Sequence, residues 1–216
     1  MLPILYSFRR CPYAIRARMT LAYASITVDL REVFLADKPS AMLDISRKGT
    51  VPVLELEGSI IDESIEIINW ALQQSDPDGW IKAELHNDAT QLIAENDKDF
   101  KYWLDKYKYW DRFPDRSQHF YRSGAEQFVA RLESLLAENN CLLGTQLNVA
   151  DIAIFPFIRQ FAFVDKLWFD SAPYPNVQRW LECLLASSLF VQSMHKQPLW
   201  RPGDPCRKFP APRLAS

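Results

Sequence analysis

The sequence predicts an α/β domain followed by an all-α domain, and three observations carry that prediction. The first part of the chain alternates strand-like and helix-like pieces in the order β-α-β-(α)-β-β-α. The turn cluster Asp76-Pro77-Asp78-Gly79 then breaks the pattern. Everything beyond it carries helical periodicity alone. A parallel first half feeding an antiparallel hairpin implies a small mixed four-stranded sheet with helices packed on it.

Each element has a local reason. Pro3-Ile4-Leu5-Tyr6-Ser7 reads as a short buried strand. Residues 12–24 read as a helix, with Ile15, Met19, Ala22 and Tyr23 on its apolar face and Arg16 and Arg18 on the other. Thr27 to Val33 is a second strand, and Lys38 to Ile45 is a loop running into a short helix. Val53-Leu54-Glu55-Leu56-Glu57 alternates apolar and polar, stops at Gly58 and resumes in Ser59-Ile60-Ile61, a hairpin pattern. Ser64 to Gln74 is a helix with Ile65, Ile68 and Leu72 on one face. These pieces make a first domain over residues 1–76.

The helical domain is expected over residues 82–197, with helices at 82–111, 117–139 and 148–165 and two shorter ones after Pro175. Its best-defined local signal is Asn148-Val149-Ala150-Asp151, a capping box in which each side chain takes a backbone N–H of the other residue. Asp151 is therefore expected to act through folding, not chemistry. Residues 198–216 form a Pro-rich basic tail with Pro198, Pro202, Pro205, Pro210 and Pro212. It has no periodicity and is expected to pack extended or to stay partly disordered.

Composition narrows the function. A chain of 216 residues buries a core without disulfide or metal staples. Its 6 glycines include no G-x-G, which excludes the dinucleotide fingerprint and the P-loop and disfavours the G-x-S-x-G elbow. A net charge of −2 gives no electrostatic reason to expect nucleic acid or an anionic membrane as a partner. No apolar run reaches the roughly 18 residues of a spanning helix, and Met1 to Phe8 lacks the marks of a signal peptide. The 4 cysteines are widely spaced, and the 3 histidines lack zinc-ligand spacing. The expectation is a cytoplasmic protein with reduced thiols and no metal site.

Three segments carry chemistry. In Tyr6-Ser7-Phe8-Arg9-Arg10-Cys11-Pro12-Tyr13-Ala14 a strand ends, a loop turns and a helix starts at Pro12. Cys11 then sits at the helix cap, facing unpaired N–H groups and the positive end of the helix, where a thiolate is the favoured form. Arg9 and Arg10 add to the local positive charge. Position 14 is Ala, so a mixed disulfide formed here needs an external thiol to resolve it. In Gly49-Thr50-Val51-Pro52-Val53 the proline must open a strand, and a cis bond would turn the Val51 backbone outward to pair with an extended peptide. In Asp62-Glu63-Ser64, Ser64 is placed to cap a helix and take a carboxylate, with Glu63 beside it for an ammonium group.

Together these segments resemble the glutathione transferases over roughly residues 3–195, and within them the cysteine-type, omega-like enzymes. The resemblance implies a thioredoxin-like N-terminal domain and an all-helical C-terminal domain. It implies that Cys11 forms a mixed disulfide with glutathione. Val51 and the cis-proline position Pro52 would hold the cysteinyl part of glutathione, Glu63 and Ser64 its γ-glutamyl end, and Lys38 its glycine carboxylate. The expected chemistry is thiol transfer, deglutathionylation or reduction, with glutathione as co-substrate and a small or protein disulfide or electrophile as partner. Phe100, Trp103, Tyr107 and Trp110 recur at helical spacing, and the resemblance puts Trp103, Tyr107 and Trp110 beside the second substrate. Core packing is the competing explanation. The family also implies a homodimer. Three alternatives stay open: activation of glutathione by the Tyr6 or Ser7 hydroxyl for conjugation to electrophiles, a monothiol disulfide reductase, and a non-enzymatic adaptor on the same fold.

Overall fold

Strand β1 (Ile4–Ser7) is the centre of the first unit in the computed structural model, which describes residues 2–211. Helix α1 (Pro12–Tyr23) follows, and β2 (Val28–Glu32) returns parallel to β1. Helix α2 (Ser40–Ile45) leads into the hairpin β3 (Val53–Leu56) and β4 (Ser59–Ile61), with β3 antiparallel to β1. Helix α3 (Ser64–Gln74) ends this run.

Side chains alternate across β1, as a strand requires. Leu5 joins Ala17, Leu21, Val28, Leu30, Leu54 and Ile67 in the core under α1 and α3. Tyr6 points the other way, to Val33, Met42, Val51 and Val53. This is the expected thioredoxin-like arrangement. It delivers the end of β1 and the start of β3 to the same end of the sheet.

The second unit, Gly79–Ala186, is helical. Helix α4 (His86–Glu95) passes through a π-helical turn (Asn96–Phe100) into α5 (Lys101–Lys108), with short 3-10 turns at either end. Helices α6 (Gln118–Glu138), α7 (Val149–Ala162), α8 (Lys166–Ser171) and α9 (Pro175–Ala186) follow. The sequence reading missed α8. It is too short to show a period and is announced only by Asp165, which accepts from the Trp168 N–H at 3.1 Å.

Helix α7 is buried nearly all round, and its capping box is present. Asn148 accepts from the Ala150 N–H at 2.9 Å, and Asp151 accepts from the Asn148 N–H at 3.0 Å. Asp151 also takes the Leu142 N–H and the Trp180 indole N–H, both at 2.9 Å. Burial pushes its carboxyl up to about 6, while these N–H donors pull the other way.

Helices α5 and α6 meet where Trp103 lies over Gly124. A Cβ added at Gly124 would come within 2.3 Å of the indole. Gly124→Ala is therefore expected to destabilise the protein by about 1–3 kcal/mol through overpacking, read as a lower urea midpoint at unchanged slope.

The chain then returns to the first unit. The expected boundaries at 197 and 198 do not match the structure, because residues from Ser187 onward group with residues up to Asp78. Helix α10 (Ser188–Ser193) packs on α1. Strand β5 (Lys208–Phe209) pairs antiparallel with β2, which gives five strands in the order β4-β3-β1-β2-β5 rather than the expected four. Leu199 bridges Glu32, and Phe209 is buried. The physical reason is the open edge of β2, whose unpaired backbone groups the C-terminal segment satisfies. Pro212 and the remainder of the expected tail, 213–216, lie outside the described residues. Deleting residues 198–216 should cost about 2 kcal/mol from Phe209 alone and promote association through the bared edge, visible by light scattering.

The burial of α1 also departs from expectation. Arg16 and Arg18, expected on the face opposite the apolar one, are 2% and 1% exposed. With the sheet and α3 on one side and α10 on the other, α1 keeps little solvated face. Periodicity cannot reveal a helix covered on both sides.

Candidate functional site

Cys11 ends the loop between β1 and α1. Its backbone is extended, φ −73° and ψ 123°, as Pro12 at the first helical position requires. Its N–H donates to the Phe8 carbonyl at 3.0 Å, and its carbonyl accepts from the Ile15 N–H at 2.9 Å. The side chain makes no capping bond and is half-buried. Its Sγ–H donates instead to the Val51 carbonyl at 3.5 Å. No disulfide joins any of the four cysteines.

That contact joins the first two sequence segments. The Val51–Pro52 peptide is cis, and both residues are buried at the entry to β3. Two residues earlier, Gly49 has φ +59°. A Cβ there would come within 3.2 Å of Leu43, tighter than ordinary contact, while the Lys38 amine would lie at 3.8 Å, so both side chains pack beside this loop.

The third segment differs from its sequence reading. Ser64 was expected at the cap of α3, but Glu63 holds that position and Ser64 is the first helical residue. The Ser64 hydroxyl turns inward and accepts from Arg16 Nε at 3.1 Å and Nη2 at 2.9 Å. A buried guanidinium demands acceptors, and that demand sets the Ser64 rotamer. Glu63 is exposed, and the Lys48 amine donates to it at 2.6 Å and to Asp62 at 3.1 Å. The Ser46 hydroxyl donates to Asp62 at 2.9 Å, and Ser46 and Lys48 together hold the Asp62 carboxyl below its ordinary value.

Loop 46–52 thus borders the thiol through Val51, Lys38 through Gly49, and the start of α3 through Ser46 and Lys48. Cys11, Lys38 and Glu63 lie along it, Val51 and Pro52 belong to it, and Ser64 follows Glu63 in the chain. The result is a thiol at a helix start, its acceptor carbonyl just before a cis proline, and the charged side chains of Lys38, Lys48, Asp62 and Glu63 along the loop. Ser46, Lys48 and the inward Arg16 were missed. No local pattern in the sequence marks them, because their partners lie in other elements.

The two competing hydroxyls are engaged elsewhere. Tyr6 is buried, its hydroxyl accepts from Arg31 Nη1 at 2.6 Å, and burial pushes its phenol up. Ser7 is fully buried and accepts from Arg18 Nη1.

In the helical unit the aromatic residues in and beside α5 separate into two groups. Phe100 and Tyr107 are each 1% exposed and stack on Phe161, which makes them core residues rather than pocket residues. Trp103 packs over Gly124, between Tyr102 and Phe120. Trp110, in the 3-10 turn, is 46% exposed. Among the described residues no cluster of metal-ligating side chains occurs, and no helix is long and apolar enough to cross a membrane.

Comparison with known proteins points in one direction. Residues 5–79 match the glutathione S-transferase N-terminal domain, and residues 88–183 match the glutathione S-transferase C-terminal domain. A probable maleylacetoacetate isomerase from Caenorhabditis elegans is 27% identical over 203 residues, covering 88% of this chain and 91% of the relative. A solved glutathione transferase family member from Pseudomonas fluorescens, with two glutathione bound, superposes with a TM-score of 0.78 at 16% identity over 89% of this chain and 92% of the other. Glutathione transferase Omega 3C from Trametes versicolor gives 0.77 at 18% identity, over 92% and 91%. At such identities the structural likeness speaks for the fold alone.

Proposed function

The chain belongs to the glutathione S-transferase family, and we propose that within it Cys11 is the nucleophile of a glutathione-dependent thiol transferase. Glutathione transferase activity goes with the membership; the cysteine chemistry is the finer step. The observation that carries it is the placement of Cys11. Its thiol stands at the start of α1 within reach of the Val51 carbonyl, while Tyr6 and Ser7 are buried on arginines.

In this reading glutathione lies extended along loop 46–52. The Val51 backbone pairs with its cysteinyl part, and Lys38 takes the glycine carboxylate. Glu63 takes the ammonium group, and the backbone at the start of α3, around Ser64, takes the α-carboxylate. The Cys11 thiolate attacks the glutathionyl sulfur of a mixed disulfide. A Cys11–glutathione disulfide forms, and the partner leaves as its thiolate. A second glutathione thiolate then attacks the glutathionyl sulfur, releasing glutathione disulfide and the Cys11 thiolate. Ala14 leaves no second cysteine in the helix to do this internally. A homodimer in a reducing cytoplasm belongs to the same proposal.

A second reading has more support from the comparisons. There, bound glutathione itself attacks an electrophilic carbon, and Cys11 does not form a disulfide. The relative named as an isomerase aligns over most of the chain and favours it. Two assays separate the readings: reduction of a glutathione mixed disulfide, and conjugation of glutathione to an aromatic halide. The first reading expects disulfide turnover to dominate. Conjugation without disulfide turnover would establish the second. Neither activity, with no retention on immobilised glutathione, would point to an adaptor.

A further inference from the structure

The turn between Ser7 and Cys11 is held by two buried charged side chains that have no part in the proposed glutathione contacts. Arg18 lies on α1 six residues beyond Pro12, directed back at this turn. Its Nη1 donates to Ser7 Oγ and, at 3.4 Å, to the Phe8 carbonyl, and its Nη2 donates to the Arg9 carbonyl at 2.7 Å. Its Nε reaches the Ser193 carbonyl at the end of α10, at 2.9 Å. Glu32 enters from β2. It pairs in register with Ser7 and accepts from the Arg9 N–H at 2.7 Å. The Glu32 carbonyl in turn accepts from the Trp200 N–H at 2.8 Å, which ties the C-terminal segment to the same corner.

The turn is therefore specified from both sides of its backbone. Arg18 takes two successive carbonyls and Glu32 takes the N–H between them. The Phe8 carbonyl that Arg18 holds is also the acceptor of the Cys11 N–H. A displacement of the turn is transmitted directly to the start of α1 and to the thiol. Taking two charges out of water is costly unless both are well bonded, so their presence here has to be explained by what they hold. Only a guanidinium fork can reach this many acceptors in fixed directions; an ammonium group cannot.

We infer that Arg18 and Glu32 are positioning residues for Cys11, fixing the Ser7–Arg10 turn so that the thiol stands at the head of α1 against the Val51 carbonyl. The inference rests on the reading of Cys11 as the reactive group, and the test keeps the two apart.

The experiment is alkylation of the full chain with iodoacetamide, followed by site-resolved mass spectrometry, with the exposed Cys183 as internal reference. In the wild type Cys11 should react faster than Cys183; if it does not, the reading of Cys11 itself fails. Glu32→Ala should lower the Cys11-to-Cys183 ratio by about tenfold, since a misplacement near 1 Å can cost up to about a hundredfold. Glu32→Gln keeps an oxygen for the Arg9 N–H and should restore the ratio to within about threefold of wild type. Arg18→Lys keeps the charge but not the fork and should fall with Glu32→Ala. Circular dichroism verifies folding, and should Arg18→Lys fail to fold, the Glu32 pair decides. A wild-type ratio in Glu32→Ala, or Glu32→Gln falling as far as Glu32→Ala, overturns the inference.

Discussion

Cys11→Ser should abolish reduction of a glutathione mixed disulfide, by at least about a thousandfold in kcat/KM, while glutathione affinity changes only a few-fold. The asymmetry follows from the chemistry. A serine hydroxyl cannot form or exchange a disulfide, so no covalent intermediate remains. The affinity is expected to come from Lys38, the Val51 backbone and Glu63, and a serine hydroxyl can still donate to the Val51 carbonyl that the thiol holds. Conjugation should behave differently. A hydroxyl at the head of α1 can still donate to the thiolate of bound glutathione, so any conjugating activity should survive or rise. Parallel kinetics on the two substrates check this. Equal loss of both activities, with affinity also lost, would mean that the site had collapsed.

Asp151→Ala should cost about 3–5 kcal/mol of stability without altering the active-site chemistry directly. The carboxylate takes three N–H groups, from Leu142, Asn148 and Trp180, in a fully buried place. Removing it leaves donors without acceptors at about 1–3 kcal/mol each, and it also removes half of the capping box of the most buried helix. Chemical denaturation of the two proteins measures the difference. The pH dependence has a defined sign. The folded-state value of about 6 lies above the ordinary carboxyl value of 3.8, so the stability this group contributes through protonation is fully present below the lower value. It is lost as pH rises through about 6. The wild type should lose that increment between pH 4 and 7, and Asp151→Asn should not.

Much of this architecture was legible in the sequence because its signals are local. The alternation Val53 to Ile61 marks the hairpin, and Asn148 to Asp151 marks the start of α7. Pro12 after Cys11 marks a capped helix, which the extended Cys11 backbone matches. What stayed hidden depends on partners distant in sequence. Arg18 looks like a surface residue until α10 and the Ser7–Arg10 turn close around it. Ser64 looks like a cap until Arg16 draws its hydroxyl inward. The tail looks structureless because two residues of strand carry no period, yet Phe209 fills a core position opposite Val28. Tyr107 shares its helical spacing with Trp110, but spacing alone does not say that one is interior and the other at the surface.

The central claim is that Cys11 carries glutathione covalently. Its most direct test is to incubate the protein with glutathione disulfide and measure the intact mass and the modified peptide. A single glutathione adduct on Cys11, removed by reduced glutathione and absent in Cys11→Ser, is the predicted result. A protein that binds glutathione and turns over an electrophile, yet never carries the adduct on Cys11, would contradict it.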